Sequence, residues 1–278
     1  MDLSPYKVFL LDMDGTIYLG DRLFDDTPAF ISRLRQTGRE LVFLTNNSSR
    51  DSAAYLRKLR RLGIRASSKE VFTSGDATTL VLRSERPGAS IYLLGTPSLR
   101  KSFERAGFRI WSEDRSERDK RDEREDRDKQ DDRPDYLIVG FDTTLNYKKL
   151  ACACRLAARG VPYLATHPDF NCPVPGGFIP DAGSIIAFIE ASTGKRPRII
   201  GKPQTGIVDA LRAREGWMAD EMIMIGDRLY TDIALGMNTG IATILVFSGE
   251  TSREDYEAQD EFQATWAVDG IGAITPFL

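Results

Sequence analysis

Short apolar runs alternate with amphipathic stretches along most of this chain. Tyr6–Leu11 reads YKVFLL, a nearly continuous apolar run of strand length, the pattern of a strand buried on both faces. Glu40–Leu44 (ELVFL) reads the same way. Between them, Thr27–Thr37 (TPAFISRLRQT) carries apolar residues at helical spacing, with Pro28 in its first turn and Gly38 just past its end. That punctuation predicts a helix with Thr27 as its N-cap. Ser52–Leu62, ended by Gly63, and Val71–Ser84 after its first residues are also predicted helices. Further strands are predicted at Ile91–Leu94, Tyr136–Val139, Val161–Ala165, Arg198–Ile200, Glu221–Ile225 and Ala242–Val246. Helices are predicted at Ser98–Ala106, Tyr147–Arg159, Gly183–Ser192, Thr205–Glu215 and Asp232–Met237. Strand and helix in alternation imply an α/β class: a doubly wound, mostly parallel, Rossmann-like sheet with right-handed crossovers.

One run breaks the rhythm. From Glu113 to Arg133, 19 of 21 residues are charged, 8 basic and 11 acidic, with no apolar stripe to bury. Such a run cannot offset its own ordering entropy, so it reads as a solvated loop or a polar, salt-bridged helix. Its net −3 accounts for the whole net charge of the chain. A near-neutral surface argues against nucleic-acid or anionic-membrane binding by bulk electrostatics. At 278 residues the chain has room for about two domains and needs no disulfide staple. Three cysteines suit a reducing cytoplasm, no apolar run reaches membrane-spanning length, and the first residues do not read as a signal peptide. A single histidine, His167, rules out a multi-histidine zinc site and leaves carboxylates as the main catalytic resource.

Four polar clusters follow predicted strands, and ligands of an open parallel sheet bind beyond the strand C-termini. Asp12-Met13-Asp14-Gly15-Thr16 closes the first strand. An extended backbone puts Asp12 and Asp14 on one side, and two such carboxylates are costly unless a metal or substrate partners them. Thr45-Asn46-Asn47-Ser48-Ser49 offers hydroxyls, amides and backbone N–H groups ahead of a helix, which is either an anion site or a capping cluster. Gly201-Lys202-Pro203 supplies a point charge, or a surface lysine beside a turn, with Pro203 opening a helix. Gly226-Asp227-Arg228-Leu229-Tyr230-Thr231-Asp232 adds carboxylates of the kind Mg²⁺ prefers, or one more Asx-turn.

Taken in order, DxDGT, TNN, GKP and GDxxxTD resemble the haloacid dehalogenase superfamily over nearly the whole chain. The TNNSS form, the long stretch between Asn47 and Lys202, and THPDF…PVPGGFIPDAGSI at 166–186 are similar to its NagD-like branch of p-nitrophenyl phosphatases and nucleotidases. The resemblance implies a catalytic core of residues 1–75 and 185–278, split by an inserted α/β cap at 80–185 whose outer surface carries the 113–133 run. It implies a cytoplasmic, Mg²⁺-dependent phosphatase of small phosphate monoesters working through an aspartyl-phosphate. Asp12 would be the nucleophile and Asp14 the general acid and base. Thr45, Asn46, Asn47 and Lys202 would bind the phosphate. Asp12, the Asp14 backbone carbonyl and Asp227 would hold the metal, with Asp232 behind them orienting Lys202 or a metal-bound water. The partner is then a small phosphate ester, with neither nucleic acid nor membrane, and homodimers through the cap are open to such a chain. A catalytically idle scaffold of the same fold, binding a phosphometabolite or a protein, is the alternative, although no motif residue is missing. His167 stands where the branch usually has Asn, which leaves a base, a substrate-lining and a structural role open.

Overall fold

Continuous apolar strands need cover on both faces, and the computed structural model, which describes residues 1–113, 133–174 and 176–278, places two parallel sheets accordingly. The chain divides into two units, each with its own apolar core. The first contains Met1–Asn46, Ser52–Ser74 and Gly201–Leu278; the second contains Asn47–Asp51 and Gly75–Ile200.

In the first unit, β1 (Val8–Leu11) is buried at every position and begins the sheet. A hairpin of β2 (Tyr18–Leu19) and β3 (Arg22–Leu23) follows, then α1 (Thr27–Gln36), β4 (Glu40–Thr45), α2 (Ser52–Arg61) and β5 (Val71–Thr73). The N-cap of α1 is Asp26 rather than Thr27, because the Thr27 hydroxyl donates to Ile17 O at 2.7 Å.

In the second unit, α3 (Ser74–Glu85, of which Ser74 itself belongs to the first unit) leads to β6 (Ser90–Leu94), α4 (Pro97–Arg105) and β7 (Arg109–Ile110). After the charged run come β8 (Tyr136–Val139), α5 (Tyr147–Ala158), β9 (Tyr163–Ala165), the hairpin β10 (Asn171–Val174) and β11 (Gly177–Pro180), α6 (Ala182–Thr193) and β12 (Arg198–Ile199). These build a parallel sheet in the order β12-β9-β8-β6-β7. Residues 185–200, expected with the core, therefore lie in the second unit. There β12 pairs with β9, and Ile185 and Ile189 of α6 join the apolar cluster under Cys152 and Leu156 of α5. The charged run itself falls outside the described residues, apart from its ends. Glu113 pairs with Arg155 at 2.6 Å, and Arg133 donates to Arg159 O. His167 is fully buried, with Nδ1 2.9 Å from Thr166 Oγ1 and Nε2 2.9 Å from Asp181 Oδ1. A side chain so enclosed ties β9 to the start of α6.

The chain returns to the first unit with α7 (Gly206–Glu215), β13 (Met222–Gly226), α8 (Ala234–Thr239), β14 (Ala242–Val246), α9 (Arg253–Glu257) and β15 (Trp266–Val268). Pro203 does not open α7, which begins three residues later at Gly206. Likewise the helix expected from Asp232 is a single π-helical turn, Leu229–Ile233, running into α8. The sheet order is β15-β14-β13-β1-β4-β5, all parallel. Connections run one way from β1 to β4 and β5, and the other way through β13 to β15. That makes β1 the topological switch point, beyond whose C-terminus a doubly wound sheet binds ligands. The α/β class and mostly parallel sheets match the expectation from the sequence. Among the described residues no helix is long and apolar enough to cross a membrane.

Candidate active site

The β1 ladder continues one residue past the strand: Asp12 N–H donates to Ile225 O at 2.9 Å, which fixes the Asp12 backbone beside β13. Lys202 Nζ reaches Asp12 Oδ1 at 2.5 Å and Asp232 Oδ1 at 2.6 Å. Lys202 is only 2% exposed, which a lysine tolerates when its ammonium is paired and hydrogen-bonded. Its strand does not place it, because β12 belongs to the other unit. Asn46 does: its side-chain Nδ2 donates to Lys202 O at 2.8 Å and its Oδ1 accepts from Lys202 N at 2.9 Å. The Asn46 amide thus spends both ends on the Lys202 backbone. Thr45 closes β4, buried beside Thr73 of β5. Asn47 belongs to the second unit, where its Oδ1 accepts from Ser49 N at 3.0 Å and Ser49 Oγ at 2.7 Å, an Asx-turn.

Asp227 follows β13 by one residue. Its Oδ2 accepts from Glu250 N at 2.7 Å, and Thr16 Oγ1 lies 3.5 Å from its Oδ1. Backbone crowds it from two sides: a Cβ built on Gly249 would lie 2.0 Å from Asp227 Oδ2, and one on Gly15 2.3 Å from it. Gly15 also has φ +89°, which glycine alone adopts readily. Asp232, held in the π-helical turn, accepts from Arg228 N at 3.1 Å with the oxygen that Lys202 does not use. One oxygen each of Asp12, Asp227 and Asp232 lie within 4.8 Å of one another.

Burial pushes the Asp12 carboxyl up to about 8; Lys202 pulls it back, while the Asp232 and Asp227 charges add to the rise. Burial and Asp232 likewise raise Asp227, to about 6. Burial also opposes the charge on Lys202, but Asp12 and Asp232 outweigh it and hold the ammonium protonated. Three carboxylates around one ammonium leave negative charge that a cation would relieve, and all the donors are hard oxygens. This donor set fits Mg²⁺, with Asp232 committed to Lys202 and to the Arg228 backbone. Asp14 stands apart and half-exposed, its Oδ1 3.5 Å from Gly20 N and its Oδ2 4.0 Å from Lys58 Nζ. Burial raises its carboxyl above the ordinary range and Lys58 opposes the rise.

Arg228 sits inside the GDxxxTD motif, where no spacing marks it as functional. Its side chain pairs with Glu250 at 2.9 Å, and Tyr230 donates to the same carboxylate at 2.6 Å. Burial opposes the guanidinium charge; Asp12, Glu250, Tyr230 and Asp227 together hold it. Gly249 and Glu250 had no signal at all, since they sit in a loop with no motif.

Comparison with known proteins gives the same picture. Residues 9–109 match the family model of haloacid dehalogenase-like hydrolases, and residues 199–274 match a second model of HAD-like hydrolases. The 5'-nucleotidase YutF of Bacillus subtilis is 30% identical over 276 residues, 99% of this chain and 100% of the relative. The chain belongs to the haloacid dehalogenase-like hydrolases. An acid sugar phosphatase of Staphylococcus aureus is 34% identical over 92% of each chain. Among solved structures, a 4-nitrophenylphosphatase from Thermotoga maritima superposes with a TM-score of 0.89 at 41% identity, covering 99% of this chain and 98% of that one. Within the family this hydrolase sits with the NagD-like proteins, and it is a phosphoric monoester hydrolase.

Proposed function

We propose that this hydrolase cleaves small phosphate monoesters through an aspartyl-phosphate on Asp12, with Mg²⁺ as cofactor. The observation that carries the reading is the cluster of Asp12, Asp227 and Asp232 beyond the switch point of the sheet, two of them paired with a buried Lys202. An Asp12 oxygen attacks phosphorus as the ester oxygen leaves, and Asp14 supplies the proton that the leaving alkoxide takes up. Asp14 then takes a proton from the water that attacks the aspartyl-phosphate, releasing phosphate and restoring Asp12. Lys202 fixes Asp12 and would present positive charge to the phosphoryl oxygens, and the Thr45 hydroxyl would hold another. Asn46 also holds the Lys202 backbone and Asn47 shapes its own turn, and both would meet the phosphate from the loop after β4. Asp12, the Asp14 carbonyl and Asp227 would hold Mg²⁺, which when bound offsets repulsion between the attacking carboxylate and the phosphoryl group.

The named activities of the relatives, on nucleotides, acid sugar phosphates and p-nitrophenyl phosphate, define the first substrates to test. Three cysteines in no disulfide suit a reducing compartment, and cytoplasmic placement is part of the same proposal. The test is hydrolysis of p-nitrophenyl phosphate with and without EDTA, followed by a panel of nucleotide, sugar and glycerol phosphates. Acid quench of a radiolabelled ester should leave label on the wild-type protein and none on Asp12→Asn. Full activity in EDTA would remove the metal from the proposal; equal labelling of the two proteins would remove the intermediate.

A further inference from the structure

Helix α2 carries Arg57, Lys58, Arg60 and Arg61, and three of these four point into solvent. Lys58 does not: its side chain is 13% exposed. Its ammonium lies 3.8 Å from the centroid of the Tyr18 ring, and Tyr18 is itself buried. A cation over an aromatic face is attracted by the ring quadrupole, which narrows the range of a stem with four rotatable carbons. From that perch Nζ faces Asp14 Oδ2 at 4.0 Å. The other Asp14 oxygen faces the Gly20 N–H of the β2–β3 turn, and the Asp14 backbone bridges Tyr18. The loop after β1, the hairpin and α2 therefore converge on one half-exposed carboxylate.

Exposed ion pairs do little, but this lysine is largely buried and its partner is the proposed proton carrier. We propose that Lys58 is a positioning residue: seated on Tyr18, it holds the Asp14 carboxyl in the orientation that delivers a proton to the leaving oxygen. The inference rests on the proton-transfer role given to Asp14 above. Neither role is needed equally by all esters. p-Nitrophenolate leaves without protonation, whereas the alkoxide of glycerol phosphate needs a proton as it departs.

The experiment compares kcat/KM for these two esters, because that constant covers the steps up to loss of the alcohol. Lys58→Met keeps the apolar stem over Tyr18 and removes the charge. We expect it to lower kcat/KM for glycerol phosphate at least about tenfold while p-nitrophenyl phosphate stays within about two-fold. Lys58→Arg should recover most of the loss, and the thermal midpoints of both variants should match wild type. Lys58→Gln serves the same comparison if the Met variant fails to fold. Equal losses on both esters, or no loss on either, would overturn the inference. Asp14→Asn in the same assay separates the two layers. If it shows no split between esters, the acid role of Asp14 fails. If it splits and the Lys58 variants do not, only the positioning role of Lys58 fails.

Discussion

Replacing Asn46 with alanine tests what places the buried lysine. The Asn46 amide makes two hydrogen bonds to the Lys202 backbone, at 2.8 and 2.9 Å, across 156 residues of sequence, and both residues are buried. Truncation leaves a buried N–H and a buried C=O facing a small cavity, each costing roughly 1–3 kcal/mol, so the first unit should lose about 2–6 kcal/mol. In thermal unfolding that is a fall on the order of 10 °C. Urea titration followed by tryptophan fluorescence can attribute the loss, because Trp217 and Trp266 lie in the first unit and Trp111 in the second. Lys202 would no longer be registered at 2.5 Å from Asp12, and a shift of about 1 Å in a reacting group costs up to roughly 10²-fold, so kcat should fall with it. If Asn46→Ala unfolds at the wild-type midpoint and only KM rises, the amide is a phosphate ligand and the argument from its hydrogen bonds is wrong.

Other outcomes follow from the same site. Asp12→Asn should reduce turnover to background while the protein stays folded, checked by circular dichroism beside the assay. Burial raises Asp12 to about 8 and Asp227 to about 6, above their unfolded values, so their contribution to metal-free stability is present at low pH and lost as pH rises through those values. Mg²⁺ should therefore raise the thermal midpoint more near about pH 8 than near about pH 5; an equal shift at both would contradict it. Gly249→Ala puts a methyl 2.0 Å from Asp227 Oδ2, so half-saturating Mg²⁺ in the phosphatase assay should rise roughly 10–100-fold. An unchanged Mg²⁺ requirement would mean the loop yields instead.

The sequence was most readable where one residue decides its own surroundings. Val8–Leu11 and Glu40–Thr45 are strands because their side chains need apolar cover on both faces, and the carboxylates that follow such strands are conspicuous for their cost. It was least readable where the deciding partner is far away. Nothing in Arg198–Ile199 says that it pairs with β9 rather than with the first sheet, so the alternation of strand and helix ran past the boundary unnoticed. Thr27 looked like a cap because its hydroxyl partner, Ile17 O, comes from a turn with no periodic pattern. Gly249 matters through the approach of backbone to Asp227, and a glycine in a loop carries no mark of what passes beside it.

The Asn46 backbone oxygen also accepts a hydrogen bond from the Ser74 hydroxyl. Asn46, Ser74 and Lys202 stand at or next to three of the points where the chain leaves or re-enters the first unit. One asparagine therefore draws together the ends of segments that are 28 and 156 residues distant along the chain. In polymer terms, the excursion from Gly75 to Ile200 is a long loop whose mouth is already closed by the remaining protein. The entropy of closing it varies only with the logarithm of its length, so its size is nearly free to change. A chain shortened from Ser74 to Gly201 would have only a narrow gap to span, and a mouth fixed in this way lets insertions of very different size be carried by one catalytic sheet.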